Sequence, residues 1–317
     1  MKKQILSAVL SAAMILALTA CGSTAASSSA ASSSGSASAA VSAAASAAAS
    51  AASSTAASGS GSGVEDGVLT IANECGYAPY NWSQPDNSND AVPIADSDQY
   101  ANGYDILMAK KICEANNWKL EVKQLDWDSL IPAVQSGVID AVIAGQSMTA
   151  ERAQQVDFAG PYLYATIVCL TKSSSKFASA KGISDLSGGS CTSQMGTIWY
   201  DTCLPQISGA NIQTASESAP AMLMALESGQ VDYICTDMPT AQGAVIAYPD
   251  LKILDFSSGN DNFKVSDEEI NIGISVRKGN SVLKDAIDKV LSGMTKDDFN
   301  DMMNAAIKIQ PIQSSAS

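Results

Sequence analysis

Apolar and polar residues are distributed along residues 66–310 in segments that predict strands and helices in alternation. Apolar runs of strand length occur at VLTIANE (68–74), LEVKQL (120–125), VIDAVIAG (138–145), PYLYATIVCLTK (161–172) and VDYICTD (231–237), with a return segment INIGISVRKGN (270–280). Helices are predicted at 105–116, 128–136, near Trp199, and at 219–228, 281–292 and 296–306. This alternation predicts an α/β fold in which helices cover a parallel sheet.

A polar loop follows the predicted strand 138–145 and contains Ser147 and Arg152. In open α/β sheets, ligands bind beyond the carboxyl ends of the strands, so this loop is a candidate site. An arginine offers a planar pair of donors that matches a carboxylate, which lysine does not. Alternatively, Arg152 forms a weak surface ion pair with Glu151 or Asp157.

The N-terminus has the features of a lipoprotein signal peptide. Lys2 and Lys3 precede an apolar run at 5–20, and LTAC at 18–21 resembles a lipobox. The run is too short for a lasting transmembrane span and ends in small residues, as secretory signals do. We therefore expect residues 1–20 to be removed and Cys21 to be lipidated.

A Ser/Ala/Gly-rich segment follows Cys21 and extends to residue 63. Such a composition has almost nothing to bury, so residues 21–63 are predicted to be a lipidated tether. As a flexible coil the segment would span roughly 36 Å. A long tether fits attachment to the outer face of the cell membrane in a Gram-positive envelope.

Charge and composition exclude several classes of function. The chain has 18 basic and 32 acidic residues, and removal of Lys2 and Lys3 changes the net charge from −14 to −16. We expect no nucleic-acid partner, because phosphate binding requires a basic surface. The chain has no histidine, which removes histidine-dependent triads and most zinc sites. No metal or cofactor is predicted.

Seven cysteines are present, and lipidation of Cys21 would leave six. Six thiols allow 15 pairings, and sequence does not choose between them. Cys169 and Cys235 lie in apolar runs, where a free cysteine behaves as a small hydrophobic residue. We therefore expect buried thiols, and Cys191–Cys203 is the least improbable disulfide.

Several motifs occur together in a specific order: IANECGYAPYNW (71–82), GYDILMAKK (103–111), SGVIDAVIAGQSMTAER (136–152), DFAGPY (157–162) and VDYICTD. Over 66–310 the chain resembles the family 3 extracellular solute-binding proteins, which are polar amino-acid receptors of ABC importers. The resemblance implies a two-lobed, type II periplasmic-binding-protein-like α/β fold, with the ligand cleft between lobes joined by a two-strand hinge near 165–168 and 269–273. Lobe one would comprise 64–167 and 270–317, and lobe two 168–269.

The resemblance also implies how an amino acid would be bound. Arg152, assisted by Ser147, would bind the α-carboxylate, and Gly145 of the same loop belongs to the binding set. Asp237 would bind the α-ammonium group. Asp237 alternatively caps a helix that begins near Pro239, as aspartate often does.

The remaining predicted binding residues lie on both sides of the cleft. Gly196 and Thr197 match a turn whose backbone N–H groups would reinforce the hold on the carboxylate. Tyr77 and Trp127 match the aromatic residues that sandwich the ligand side chain. Glu74 matches the acidic position that contacts the distal group of a basic or amide-containing ligand. Two further expectations are that Trp199 packs in the core or closes the far end of the pocket, and that 83–102 is a hairpin-type insertion.

These features imply an extracellular, lipid-anchored, monomeric receptor without enzymatic activity. It would bind a free basic or polar amino acid and deliver it to the permease of an ABC importer and its ATPase. One alternative is an enzyme on the same fold, similar to a cyclohexadienyl dehydratase, with Glu74 as the general acid. The other is a ligand-sensing module for a signalling partner.

Overall fold

The computed structural model describes Val64 and residues 66–311. The predicted signal peptide (1–20), the lipidation site Cys21 and the linker up to residue 63 lie outside the described residues. Within the described part of the chain, no helix is both long and apolar enough to cross a lipid bilayer.

The described strands are β1 Val68–Asn73, β2 Gly76–Tyr77, β3 Asn81–Gln84, β4 Val92–Pro93, β5 Tyr100–Asn102, β6 Lys119–Gln124, β7 Ala141–Val142, β8 Val156–Tyr164, β9 Ile167–Lys172, β10 Ser190–Thr192, β11 Asn211–Ile212, β12 Tyr233–Asp237, β13 Leu251–Leu254 and β14 Asn271–Arg277. The described α-helices are α1 Tyr104–Asn116, α2 Trp127–Ser136, α3 Ala150–Gln155, α4 Ala219–Glu227, α5 Met238–Ala247, α6 Asp267–Ile270, α7 Ser281–Leu291 and α8 Lys296–Ile309.

The first large sheet has the strand order β6-β1-β7-β14-β8. β1 runs parallel to β6 and β7, whereas β14 runs antiparallel to β7 and β8. Helix α2 packs on β7, and α7 packs on β8. The strands bury apolar residues such as Leu69 and Ile71. We call this sheet and the helices on it lobe one.

The second large sheet has the order β11-β10-β12-β9-β13. β10 runs parallel to β11 and β12, and β9 runs antiparallel to β12 and β13. Helices α4 and α5 pack on β12. We call this sheet and its helices lobe two. The predicted α/β architecture with two lobes is therefore confirmed, although both sheets are mixed rather than purely parallel.

Two neighbouring segments connect the lobes. The chain leaves lobe one after β8 and enters lobe two at β9, and it returns between β13 and β14. The segments touch, because the Ala165 N–H donates to the Ile270 carbonyl at 2.9 Å and Tyr164 pairs with Asn271. This geometry forms a two-strand hinge. The prediction of one strand at 161–172 is wrong, because the chain changes sheets at residues 165–166.

The predicted strand 138–145 is also shorter than expected. Only Ala141 and Val142 pair, with β1 on one side and β14 on the other. Ile139, Ile143 and Ala144 are buried, so the apolar run belongs to the core without forming a regular strand. The preceding helix α2 ends as predicted at Gly137, whose φ of 81° suits glycine.

Segment 83–102 takes part in a small antiparallel sheet of order β2-β3-β5-β4. β5 pairs with β3 on one side and β4 on the other. In the connection between β3 and β4, the Gln84 side chain donates to the carbonyls of Asp86 and Ser88, at 2.9 Å each. The hairpin-type pairing predicted for this segment is therefore observed, and its being an insertion stays a prediction.

All six described cysteines are free thiols and are buried. The suggested Cys191–Cys203 disulfide is therefore wrong, whereas the expectation of buried thiols is confirmed. Cys235 lies opposite Cys169 on the neighbouring strand, and burial beside the thiols of Cys169 and Cys203 raises its pKa. Cys203 ends a π-helical turn at Trp199–Cys203, which packs on β12.

Candidate functional site

A small cavity lies in the cleft between the lobes. Its free volume is about 10 Å³, which is room for one water molecule and far below the roughly 300 Å³ of a small-molecule pocket. An amino acid could therefore enter only when the lobes move apart. The lining residues are Tyr77, Trp127, Gly145, Ser147, Arg152, Gln194, Thr197 and Trp199.

Arg152 spans the cleft. Helix α3 places it, because the Thr149 side chain caps this helix by accepting from the Arg152 N–H at 3.3 Å. The guanidinium donates to the carbonyls of Ser147 in lobe one, at 2.9 Å, and Gly196 in lobe two, at 2.8 Å. Its central carbon lies 5.2 Å from the centre of the Trp127 ring.

Burial lowers the pKa of Arg152 to about 10, so the guanidinium stays charged at neutral pH. The alternative surface ion pair between Arg152 and Asp157 is not formed, because Asp157 pairs with Lys278 at 3.3 Å. Arg152 instead places its charge between the lobes, and its fork of donors is the arrangement that matches a carboxylate.

Gly145 and Ser147 form the lobe-one side of the cavity. Gly145 has φ of 66°, and a Cβ at this position would lie 3.1 Å from the Tyr77 ring and 3.2 Å from the Tyr80 ring. A side chain here would be strained and crowded. The glycine thus lets the loop pass close to both aromatic rings.

Asp237 is the last residue of β12 and is fully buried. One carboxylate oxygen accepts from the Thr240 N–H at 2.8 Å, so the helix-capping alternative is confirmed. The other oxygen accepts from the hydroxyls of Tyr77 and Tyr80, at 3.0 Å each, across the cleft. Burial raises the pKa of Asp237, and these donors oppose the shift. Asp237 does not line the cavity, and its ammonium-binding role stays a prediction.

Tyr80 is a site residue that sequence reasoning missed. Its ring stacks on that of Tyr77 with centres 4.9 Å apart and an angle of 9° between the planes. Both hydroxyls therefore reach the same oxygen of Asp237. The repeated tyrosine in YAPY was the available signal.

Glu74 and Gln194 form a second polar contact across the cleft. The Gln194 amide nitrogen lies 3.3 Å from each Glu74 carboxylate oxygen. Burial raises the pKa of Glu74 to about 7; Gln194 opposes this shift, and Asp126 and Asp128 add to it. Gln194 was not predicted, and its position just before the Gly196–Thr197 turn was the only signal.

Gly196, Thr197 and Trp199 build the lobe-two side. Gly196 has φ of 66°, and a Cβ here would lie 3.3 Å from the Trp127 indole nitrogen. The Thr197 hydroxyl donates to the Gln194 carbonyl at 2.7 Å, which fixes the turn. Trp199 is 4% exposed and lines the cavity, so it closes one side of it.

A wider cleft of about 610 Å³ lies outside the small cavity and shares Trp127, Arg152 and Thr197 with it. Half of its remaining polar lining residues are acidic. The carboxylates on this lining are Asp128, Glu151, Asp201, Glu268 and Glu269.

A two-lobed α/β fold with a polar cleft at its hinge defines the class of type II solute-binding folds. Residues 69–305 match the family described as bacterial extracellular solute-binding proteins, family 3, and the chain belongs to this family.

Relatives in the family are named as amino-acid-binding proteins. A protein of Neisseria gonorrhoeae named "Probable histidine-binding protein" is 29% identical over 70% of this chain and 78% of its own. The "ABC transporter glutamine-binding protein GlnH" of Bacillus subtilis is 27% identical over 67% of this chain and 74% of its own. The structure of an ancestral arginine-binding protein bound to arginine is 31% identical, with a TM-score of 0.61, and covers 75% of this chain and 97% of its own.

Proposed function

We propose that this protein is a receptor that binds a free amino acid between its lobes and delivers it to the permease and ATPase of an ABC importer. The observation that carries the proposal is the half-buried Arg152 guanidinium, which donates to one backbone carbonyl from each lobe. A ligand α-carboxylate in the opened cleft would replace a carbonyl acceptor with a charged one, which strengthens the hydrogen bonds. No covalent step is part of this proposal.

The ligand would carry a basic or polar side chain, with basic ligands favoured. Glu74 contacts Gln194 of the other lobe and lies near the carboxylates of Asp126 and Asp128, so its side-chain donor is a neutral amide. A cationic group would relieve this repulsion and favour the charged form of Glu74. An amide would instead donate to the same oxygens. The flat face of Trp127 suits the stem of either kind of side chain.

The remaining ligand contacts follow the prediction from sequence. Tyr77, Trp127, Gly145, Ser147 and Thr197 line the cavity, and this supports their assignment. Gly196 contacts the arginine through its carbonyl. Asp237 would bind the α-ammonium group by exchanging a tyrosine hydroxyl for it when the lobes open and close again.

The surrounding organisation is inferred from sequence and from the strands. The strands of lobe two lie between residues 167 and 254, which supports lobe boundaries at 168–269 for lobe two and at 64–167 with 270–317 for lobe one. We infer that Cys21 anchors a monomer to the outer face of the membrane through the linker, in a Gram-positive envelope.

The test is calorimetric titration of the purified protein with the twenty amino acids. Arg152→Ala should abolish binding of every ligand, because the variant lacks the group that contacts the part common to all of them. Arg277→Ala is the matched control, since it removes the other arginine of the chain, which is exposed. Binding by Arg152→Ala as tight as by the wild type would refute the site. If no amino acid binds the wild type, turnover of prephenate-like compounds should be measured, and turnover would favour a dehydratase.

A further inference from the structure

A buried chain of hydrogen bonds runs from the ligand cavity into the core of lobe one. The Gly145 N–H, at the cavity, donates to the Tyr162 hydroxyl at 2.9 Å. That hydroxyl donates to one carboxylate oxygen of Asp105 at 2.6 Å. The other oxygen accepts from the Asn81 side chain at 2.8 Å. Gly145, Tyr162, Asp105 and Asn81 are all buried, so water does not compete for these bonds.

The hydrogen-bond chain requires a hydroxyl on the side chain of residue Tyr162. It accepts from Gly145 and donates to Asp105 at once, which a phenylalanine cannot do. Tyr162 lies on β8, and Asp105 lies in the first turn of α1. The backbone N–H of Asp105 donates to the Tyr80 carbonyl at 2.8 Å. The chain therefore ties the ligand loop to two regular elements.

The end of this chain sets the geometry of the site. Gly145 has φ of 66°, and a Cβ added there would lie 3.1 Å from the Tyr77 ring and 3.2 Å from the Tyr80 ring. Two residues later, the Ser147 carbonyl accepts from Arg152 at 2.9 Å. A shift of the Gly145 peptide would move both the aromatic wall and the acceptor of the arginine.

We propose that Tyr162 and Asp105 are positioning residues of the binding site, which fix the Gly145 peptide and thereby aim Arg152 and Tyr77 at the ligand. The inference rests on the proposed amino-acid-binding function. Neither side chain lines the cavity. Both act through Gly145.

The test compares Tyr162→Phe with Tyr104→Phe in the full-length protein. Tyr104 is a matched control, because it is fully buried, stacks on Tyr162 with ring centres 5.5 Å apart, and also uses its hydroxyl in a hydrogen bond, to the Tyr162 carbonyl. Each variant thus removes one buried hydroxyl from the same cluster. Only Tyr162→Phe removes the hydroxyl that accepts from the Gly145 N–H.

We expect both variants to melt at lower temperature. Affinity for the amino acid that binds the wild type best should fall about tenfold in Tyr162→Phe alone, the scale expected when a buried donor loses its partner. The Gly145 amide signal in a ¹⁵N-glycine spectrum should also move upfield in Tyr162→Phe and stay in place in Tyr104→Phe. Equal losses of affinity in both variants, or an unmoved Gly145 signal, would overturn the inference.

Asp105→Asn is the second variant, for use if Tyr162→Phe does not fold. Its side-chain oxygen can still accept from Tyr162, and Asn81 can flip its amide, because the Asn81 side-chain oxygen has no hydrogen-bond partner among the described residues. We expect a smaller loss of affinity, and a small movement of the Gly145 signal. An unchanged signal and affinity would again contradict the proposal. Failure of the wild type to bind any amino acid would instead refute the proposed function, while the Gly145 signal still tests the hydrogen-bond chain.

Discussion

Replacement of Glu74 by glutamine should stabilise the ligand-free protein at high pH and weaken its binding of basic amino acids. In the closed cleft, burial and the neighbouring Asp126 and Asp128 raise the pKa of Glu74 from 4.5 to about 7. The folded state therefore binds this proton more tightly than the unfolded state does. As pH rises from about 4.5 to 7, the protein loses stability, and the full cost is present above pH 7.

The loss of stability caused by ionised Glu74 can be calculated from the shift of its pKa. The pKa rises by about 2.5, and each unit corresponds to about 1.36 kcal/mol, so the upper limit is about 3 kcal/mol. The gain in a glutamine variant should be smaller than this, because the Gln194 contact crosses the cleft and lobe opening would hydrate Glu74. With roughly 2–4 °C per kcal/mol for a chain of this size, Tm should rise by several degrees at pH 8.

The assay is thermal unfolding of wild type and Glu74→Gln at pH 8 and pH 5, paired with titration of arginine. The difference in Tm should be large at pH 8 and small at pH 5, and arginine should bind the variant more weakly. Glu114→Gln, on the exposed face of α1, is the control and should change neither quantity. A glutamine variant that melts at or below the wild-type temperature at pH 8 would refute the reasoning.

Three further changes test other contacts in the same way. Tyr80→Phe removes one of two hydroxyls on the buried Asp237 and should cost about 1–3 kcal/mol in denaturant unfolding; an unchanged midpoint would contradict the role of that bond. Gly145→Ala should destabilise by about 1–3 kcal/mol and weaken ligand binding, because its φ is 66° and its Cβ would press on Tyr77; retained affinity in calorimetry would show that the loop is not constrained. The six buried cysteines should resist alkylation in the native protein and react after unfolding, since burial raises pKa values such as that of Cys75 to about 12; mass spectrometry showing native labelling would contradict this.

Local pattern predicted many elements well. The helix predicted at 105–116 is observed at 104–116, and that at 281–292 is observed at 281–291, because regular periodicity and end signals determine such elements. The apolar pattern of 161–172 predicts a single strand, because the pattern continues through the hinge. No feature of that pattern marks the change from one sheet to the other.

The residues of the site also differ in how far the sequence could predict their contacts. Gly145, Ser147 and Arg152 lie close together in the sequence, so sequence alone could place them at one site. Gln194 contacts Glu74 from 120 residues away, and only the approach of the two lobes creates that contact. The approach of Cys203 to the strand of Cys235 has the same origin, because a turn distant in sequence packs on that strand.

The position of β14 has a consequence for how the chain folds. This strand lies between β7 and β8 in the sheet, but it follows all strands of lobe two in the sequence and is therefore synthesised after them. The strands of lobe two lie within residues 167–254 and can pair as soon as that segment is available. Lobe one must keep the edges of β7 and β8 unpaired until residues 271–277 arrive, and unpaired edges are prone to aggregate. Chains that end before β14 should therefore form lobe two and leave lobe one open to self-association.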